Sequence, residues 1–244
     1  MNVVITGAGS GIGRACAQRF AAAGATIYAL GRRIEPLKAL CAELRTAVPT
    51  SVDVGDGPAV RRVFAELPTV DVLVLNAGLC ATADLGAPEG DAVWRSVLRT
   101  NLDGVFHCLD AALPHLPDGG RVVVVSSGLG KLGRAGYGAY CAAKHGVLGL
   151  VRAAAQELAP RRITVNAVCP GWVDTPMARA DLARAAEARA LPLGALRSEA
   201  VAGIPLGRFV EAAEVAELIA FLASPAAAMI TGEAYNLSGG EFSA

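Results

Sequence analysis

The chain has 244 residues, of which 53% are hydrophobic, and its 22 basic residues balance its 22 acidic residues. Because a net charge of zero gives no general attraction for nucleic acid or a membrane surface, we expect neither as a partner. The sequence has no apolar run of membrane-spanning length, no basic signal-peptide start and no C-x-x-C among its six cysteines, which predicts a cytoplasmic protein without disulfides or a bound metal.

Short β-branched runs alternate with longer alanine-rich stretches along the chain. The predicted strands are 2–6, 26–30, 50–54, 71–75, 121–126, 163–168 and 233–237. The predicted helices are 12–23, 35–47, 58–66, 91–110, 137–159 and 211–223. Several strands are apolar on both faces, as buried parallel strands are. This alternation predicts an α/β fold with a doubly wound parallel sheet of about seven strands and helices on both faces.

The chain shows no linker or repeat, so we expect residues 1–244 to form a single domain. One segment, 176–207, is rich in Arg, Ala and Leu and is interrupted by prolines and glycines. We expect it to form an inserted helical loop over the edge of the sheet, acting as a substrate-binding lid. Loops at the carboxyl ends of parallel strands are where such folds bind their ligands.

The first strand runs directly into the first helix through the glycine-rich stretch "VVITGAGSGIG". Glycines at positions 7, 11 and 13 would allow a tight turn and the close approach of a pyrophosphate to the helix N-terminus. An ordinary glycine-rich turn is the alternative, but the position at the first strand–helix junction favours nucleotide binding.

The spacing G-x-x-x-G-x-G after Thr6, together with "NAG" at 76–78, resembles the compact single-domain branch of the short-chain dehydrogenase/reductase family. Further matching segments are "DV" at 53–54, "TNLDGVF" at 100–106, "SS" at 126–127, "YCAAK" at 140–144, "PGWVDTP" at 170–176 and "TGEAYNLSGG" at 231–240. The resemblance implies a Rossmann-type fold and an oxidoreductase that transfers a hydride between a nicotinamide cofactor and a ketone or secondary alcohol.

The resemblance also implies a cofactor site. Its residues would be Gly7, Ser10, Gly11, Ile12, Gly13, Arg32, Asp53, Val54, Asn76, Ala77, Gly78, Tyr140, Lys144, Pro170, Gly171, Val173 and Thr175. In this assignment Asp53 meets the adenine, the "NAG" segment lies under the adenosine ribose, and Thr175 bonds the nicotinamide carboxamide.

The stretch "ALGRR" after the second strand bears on the choice of cofactor. NAD-preferring relatives carry an acid where this chain has Gly31, and the following Arg32 could bind a ribose 2′-phosphate in bidentate fashion. The alternative is that Arg32 is a solvated loop charge, and the basic residue that relatives place in the glycine loop is Ser10 here. We expect NADP(H), with NAD(H) as the alternative.

Tyr140 and Lys144 lie four residues apart and therefore share one face of a helix. A tyrosine has a pKa near ~10, and an ammonium beside it would lower that pKa. Such pairs are also common structural features, and Tyr137 falls on the same face. The resemblance selects Tyr140, because Ser127 lies where relatives have their catalytic serine.

The resemblance implies a role for each of these residues. Tyr140 would exchange the proton with the substrate oxygen, and Ser127 would polarise that oxygen, with Ser126 as the competing candidate. Lys144 would tune the tyrosine and position the nicotinamide ribose. Asn101 would hold a water that links Lys144 to solvent. We expect the three histidines to be packing or surface residues.

The lid sequence leaves the substrate open. Its arginines could serve an anionic substrate, such as a carrier- or CoA-linked acyl chain; they are Arg179, Arg184, Arg189, Arg197 and Arg208. The interspersed acids favour a solvated amphipathic helix instead. Four apolar residues would suit a mid-sized hydrophobic ketone: Met177, Leu182, Leu191 and Leu193.

Two alternative functions fit the same fold: a nicotinamide-binding sensor without turnover, and an epimerase or dehydratase that retains its cofactor. The glycine spacing and the presence of the Ser, Tyr and Lys set disfavour both. Relatives assemble through helices equivalent to 91–110 and 137–159 and through the last strand. The resemblance therefore implies a homotetramer or a homodimer.

Overall fold

A parallel sheet of seven strands organises the computed structural model, which describes residues 1–243. The strands are β1 (Asn2–Thr6), β2 (Thr26–Gly31), β3 (Ala47–Ser51), β4 (Val72–Leu75), β5 (Arg121–Val125), β6 (Thr164–Pro170) and β7 (Ala234–Leu237). Their order in the sheet is β3-β2-β1-β4-β5-β6-β7. The order reverses between β1 and β4, and a ligand cleft opens at such a switch point.

Nine α-helices accompany the sheet in residues 1–243. They are α1 (Gly11–Ala22), α2 (Ile34–Glu43), α3 (Gly57–Ala65), α4 (Gly90–Leu98), α5 (Gly104–Ala112), α6 (Gly138–Leu158), α7 (Pro176–Ala188), α8 (Leu193–Ala202) and α9 (Ala212–Leu222). Side chains of α1, α2 and α9 form the apolar core on one face of the sheet, and those of α3, α5 and α6 form the core on the other. The predicted doubly wound fold is confirmed.

Successive residues of one strand supply both cores. In β1, Val3 and Ile5 face the α1 side and Val4 faces the α6 side, and all three are fully buried. This explains why the strands read as continuous apolar runs rather than alternating ones.

The third strand was predicted at 50–54 but lies at Ala47–Ser51, because α2 ends at Glu43, earlier than expected. Pro49 lies within this strand and is tolerated because β3 is at the edge of the sheet, where one side of the backbone has no partner strand.

The helix predicted over 91–110 is divided. A π-helical segment, Arg99–Asp103, separates α4 from α5 and buries Thr100 and Asn101. Such segments insert an extra residue into a helix and are frequent at functional sites. Here the segment redirects Asn101 towards the loop after β4.

The segment 176–207 contains α7 and α8, and its role as a substrate lid stays a prediction. Its apolar residues Leu182, Leu196 and Ile204 form a small cluster with Phe209 that is separate from the two sheet cores. Within residues 1–243, no helix combines the length and apolarity needed to cross a bilayer.

Candidate active site

A cavity of about 330 Å³ lies at the carboxyl edge of the sheet, at the switch point. It brings together most of the predicted site residues: Gly7, Ser10, Gly11, Ile12, Arg32, Val54, Asn76, Ala77, Gly78, Ser127, Tyr140, Lys144, Pro170, Gly171, Val173 and Thr175. Three other predicted residues, Gly13, Asp53 and Asn101, do not line it. Most of the predicted site residues therefore lie around one cavity.

The glycine loop forms the floor of one end of the cavity. Gly7 and Gly11 have φ values of +68° and +52°, in the left-handed region that favours glycine. A Cβ on Gly7 would lie 2.9 Å from the Cα of Ala77. Helix α1 begins at Gly11, so its free N–H groups face the cavity, and a pyrophosphate group fits this cradle.

The "NAG" segment is tied to this loop through Thr6. The Thr6 hydroxyl accepts hydrogen bonds from the backbone N–H groups of Asn76 and Ala77, each at 3.0 Å. The Asn76 side-chain amide donates to the Thr6 carbonyl at 3.0 Å and to the Gly7 carbonyl at 3.2 Å. The ends of β1 and β4 therefore hold the nucleotide cradle in one shape.

Gly13 does not line the cavity, but its lack of a side chain leaves room for the Gly7 carbonyl and the Asn76 side chain. A Cβ there would lie 2.3 Å from the Gly7 carbonyl oxygen and 2.5 Å from the Asn76 amide nitrogen. We expect Gly13→Ala to destabilise the fold by about 1–3 kcal/mol and to weaken nucleotide binding at least tenfold, because the loop must shift. Denaturant unfolding and a fluorescence titration with NADPH measure the two effects.

Gly149→Ala is the matched control for Gly13→Ala. It lies in α6, where a new Cβ meets nothing within 4 Å, so stability should rise slightly and nucleotide affinity should not change. Equal affinities for the two variants would contradict the packing role of Gly13.

Asp53 is held outside the cavity lining. Its carboxylate accepts from the backbone N–H of Gly55 at 3.0 Å and pairs with Arg99 at 3.0 Å. Its neighbours Val52 and Val54 line the cavity instead. The adenine contact of Asp53 stays a prediction.

Two arginines, Arg32 and Arg33, lie on the cavity wall just after β2. Both are exposed, and within residues 1–243 neither guanidinium is in an ion pair. With Gly31 as the last residue of β2, no carboxylate at the strand end opposes a phosphate. The wall is therefore suited to a negatively charged group.

Ser127, Tyr140 and Lys144 meet at the other end of the cavity. Ser127 follows β5, and a hydrogen bond joins its hydroxyl to that of Tyr140. The Lys144 ammonium lies 5.7 Å from the centre of the Tyr140 ring and donates to the Val125 carbonyl at 2.8 Å. Helix α6 thus presents a phenol and an ammonium to the same cleft.

Burial controls the protonation of this pair. Burial raises the pKa of Tyr140 above its ordinary value, and the hydrogen bond from Ser127 lowers it only in part. Burial also lowers the pKa of Lys144 to about 8. Loss of hydration therefore disfavours the charged form of both side chains, and the lowering of the Tyr140 pKa by Lys144 and a bound nicotinamide stays a prediction. Burial therefore favours the protonated phenol of Tyr140.

Asn101 supports the site from behind. Its side-chain amide donates to the Leu79 carbonyl at 2.8 Å, and its oxygen accepts from the Leu79 N–H at 3.0 Å. A Cβ on Gly78 would lie 2.8 Å from the Asn101 oxygen and 3.8 Å from the Lys144 nitrogen. Asn101 therefore fixes the loop between itself and Lys144, and its water-holding role stays a prediction.

The hydroxyl groups of the two competing candidates, Ser126 and Tyr137, are engaged in other hydrogen bonds. The Ser126 hydroxyl is buried and donates to the Lys144 carbonyl at 3.2 Å, so it supports the backbone of α6. The Tyr137 hydroxyl donates to Asp181 at 2.8 Å. These contacts favour Ser127 and Tyr140 as the groups available to a substrate.

The five lid arginines are neutralised by nearby acids. Their partners are Asp174 for Arg179 and Arg197, Asp181 for Arg184, Glu199 for Arg189 and Glu214 for Arg208. This supports the solvated-helix interpretation over an anion site on the lid. Of the four apolar lid residues, Met177 alone lines the cavity; Leu182 is buried in the lid cluster, and the other two are exposed.

Sequence reasoning missed five residues that line the substrate end of the cavity: Arg134, Trp172, Asp181, Glu241 and Phe242. Phe242 packs on Gly128, where a Cβ would lie 2.4 Å from its ring. Glu241 directly follows the matched segment that ends at Gly240, and this adjacency was the available signal.

Comparison with known proteins agrees with this geometry. Residues 7–241 match the family model described as enoyl-(acyl carrier protein) reductase. A ketoacyl reductase of the monensin polyketide synthase from Streptomyces virginiae is 41% identical, with 97% of this chain and 95% of the relative covered. A 3-oxoacyl-[acyl-carrier-protein] reductase from Thermotoga maritima is 38% identical, with 97% and 96% covered.

Two solved structures show the same fold. A variant of the actinorhodin polyketide ketoreductase with NADPH superposes with a TM-score of 0.92 at 36% identity, covering 98% of this chain and 96% of that one. A short-chain dehydrogenase/reductase from Brucella melitensis gives a TM-score of 0.89 at 32% identity, covering 100% and 97%. The glycine cradle, the Ser–Tyr–Lys cluster and these similarities lead to one conclusion. The chain belongs to the short-chain dehydrogenase/reductase family of nicotinamide-dependent oxidoreductases.

Proposed function

We propose that this protein reduces the 3-keto group of an acyl thioester with NADPH. The observation that carries the proposal is the meeting of Ser127, Tyr140 and Lys144 at the end of a nucleotide cradle. Relatives named as ketoacyl, 3-oxoacyl and acetoacetyl-CoA reductases support the substrate class. A sensor without turnover is disfavoured, because the complete catalytic set faces the cavity.

Reduction of a ketone needs a hydride for the carbon and a proton for the oxygen. The bound nicotinamide supplies the hydride. Tyr140 donates its phenolic proton to the carbonyl oxygen, while Ser127 hydrogen-bonds that oxygen as charge develops on it.

Lys144 positions the other groups. One of its three N–H donors is used by the Val125 carbonyl. We assign the remaining donors to the nicotinamide ribose and to restoring the proton of Tyr140. Asn101 holds the loop beside the ammonium and would carry a bridging water.

The rest of the cleft would hold the dinucleotide. We assign the pyrophosphate to the N–H groups of Ser10, Gly11 and Ile12, and the carboxamide to Thr175. Within a single domain spanning 1–244, residues 176–207 would act as the substrate lid, since α7 reaches the cavity through Met177, Ala178 and Asp181.

Arg32 provides the test of cofactor preference. We expect Arg32→Asp to lower the ratio of kcat/KM for NADPH over NADH by about a hundredfold, because a bidentate phosphate contact is replaced by repulsion. Initial rates at the reduced-cofactor absorbance measure the ratio.

Arg45→Asp is the matched control for this change of charge. Arg45 is exposed and lies outside the cavity, so its replacement should leave the cofactor ratio unchanged. An unchanged ratio in Arg32→Asp as well would remove Arg32 from the cofactor site.

The substrate assignment is tested with acetoacetyl-CoA, crotonyl-CoA and a panel of simple ketones, each with NADPH and NADH. We expect acetoacetyl-CoA to be reduced with the highest kcat/KM. Preference for crotonyl-CoA would favour the second candidate, reduction of an enoyl thioester, which the description of the matching family model suggests. Turnover of simple ketones alone would reject a thioester substrate.

We also propose a cytoplasmic homotetramer or homodimer. The apolar side chains of Trp94 in α4 and Phe106 in α5 are 46% and 52% exposed, and burial between subunits would remove them from water. Light scattering that gives a monomer mass at micromolar concentration would contradict the assembly.

A further inference from the structure

A stack of three arginine and three aromatic side chains runs from segment 176–207 to the cavity wall and back. In order it contains Arg184, Tyr137, Arg134, Trp172, Phe209 and Arg197. The guanidinium of Arg134 lies 5.5 Å from the centre of the Tyr137 ring and 5.6 Å from that of Trp172. Contacts with two rings restrict the positions that this guanidinium can take.

Arg134 differs from the other two arginines of the stack. Arg184 and Arg197 lie outside the cavity lining; Arg184 pairs with Asp181, and Arg197 lies 3.7 Å from Asp174. Arg134 lines the cavity, and its nearest acid, Glu241, is 3.9 Å away, beyond hydrogen-bond distance. Within residues 1–243, its N–H donors have no hydrogen-bond acceptor. The Arg134 side chain, which is 41% exposed and has free N–H donors, therefore lies on the cavity wall.

The position of Arg134 defines what it can reach. Tyr137 lies one helical turn before Tyr140, and the guanidinium lies one side chain beyond Tyr137, so it is on the order of 10 Å from the reacting ketone. In an extended thioester of N-acylcysteamine, the amide carbonyl is seven bonds from the 3-keto carbon, also about 9 Å. The distances agree.

The charge around Arg134 favours a neutral acceptor. Glu241 lies 3.9 Å from the guanidinium, so a phosphate or carboxylate bound there would meet repulsion from this acid. A carbonyl oxygen needs only the free N–H donors. An amide carbonyl is the strongest neutral acceptor in such a thioester arm.

We propose that Arg134 is a specificity-determining residue that donates a hydrogen bond to the amide carbonyl of the arm carrying the acyl thioester. The inference rests on the thioester activity proposed above. It implies that the protein recognises the amide-bearing arm as well as the ketone. It therefore predicts a lower kcat/KM for ketones that lack the amide.

The test compares two substrates of equal chain length, acetoacetyl N-acetylcysteamine thioester and acetoacetyl S-pentyl thioester, which has no amide. We expect the protein to favour the first by about tenfold or more in kcat/KM, as a hydrogen bond to a charged group supplies. In Arg134→Met, which keeps an apolar stem for the stack but has no donors, the preference should fall below twofold. The rate with the S-pentyl thioester should stay within threefold.

Arg197→Met is the control within the same stack and should keep the amide preference. Equal losses for both substrates in Arg134→Met would overturn the inference, since a purely structural role predicts them. An unaltered preference would overturn it as well. If Arg134→Met does not fold, Arg134→Gln carries the same comparison, because it retains only a weaker donor.

Two further outcomes separate the sources of failure. If neither thioester is reduced by the unmodified protein, the proposed function fails together with the inference. If both are reduced, and if Arg134→Met lowers kcat/KM for acetoacetyl-CoA far more than for acetoacetyl-pantetheine, then Arg134 binds the phosphate and the amide assignment is wrong.

Discussion

Replacement of Tyr140 by phenylalanine should lower kcat by about a thousandfold while leaving the affinity for NADPH within threefold. The change removes the phenol hydroxyl beside Ser127 and keeps the ring that packs there. General acid catalysis is typically worth about 10²–10⁴ in rate. Stopped-flow absorbance with acetoacetyl-CoA measures kcat, and the fluorescence of bound NADPH measures affinity.

Tyr137→Phe distinguishes the two tyrosines of this helix face. The Tyr137 hydroxyl bonds Asp181 of the lid, so its loss should raise KM more than it lowers kcat. If Tyr137→Phe removed turnover and Tyr140→Phe did not, the acid would be Tyr137.

Lys144→Met should remove activity and yet stabilise the protein. Lys144 is 3% exposed, and burial lowers its pKa from 10.5 to about 8. The charged form is therefore disfavoured by folding, at a cost of about 3 kcal/mol at pH 7. The substitution also removes the hydrogen bond to the Val125 carbonyl, and this loss offsets about 1–2 kcal/mol of the gain in stability. We expect a net gain of about 1–2 kcal/mol and a loss in kcat of at least a hundredfold.

The stability gain should depend on pH in one direction. Below pH 8 the lysine is charged in both states, so the cost is complete. Between pH 8 and 10.5 the folded protein holds a neutral lysine and the unfolded chain a charged one, so the cost fades as pH rises. Urea unfolding of both proteins at pH 7 and pH 10 measures the difference.

Lys38→Met is the control for this series. Lys38 is exposed and pairs only with Glu35 on the surface of α2, so its replacement should change stability by less than about 0.5 kcal/mol at either pH. A Lys144→Met protein that is less stable than the parent at pH 7 would mean that the ammonium is compensated in the fold.

The sheet and its helices could be predicted from the sequence because their signals are local. The apolar runs at 2–6 and 121–126 needed no partner to be recognised as buried strands. The third strand was misplaced because its residues, "AVPTS", are only partly buried at a sheet edge and carry a proline. The break in the helix at 91–110 depends on Asn101 bonding Leu79, which is a contact across the fold.

The two ends of the cavity differed in how far they could be predicted. The residues at the nucleotide end could be predicted because one contiguous loop, "TGAGSGIG", forms most of it. The substrate end is assembled from Arg134, Trp172, Asp181 and Glu241, which are far apart in the chain and have no common motif. Their proximity arises because the fold brings the segments after β5 and β6, helix α7 and the C-terminal segment to one cavity.

The sequence by itself determined the fold class, the nucleotide cradle and the identity of the Ser, Tyr and Lys side chains, because each depends on local spacing along a strand, a loop or a helix. Only the tertiary structure decided the burial that raises the pKa of Tyr140 and lowers that of Lys144, and the free donors of Arg134. These properties depend on how much water the surrounding elements exclude and on which acids they bring near, and no local pattern contains that information.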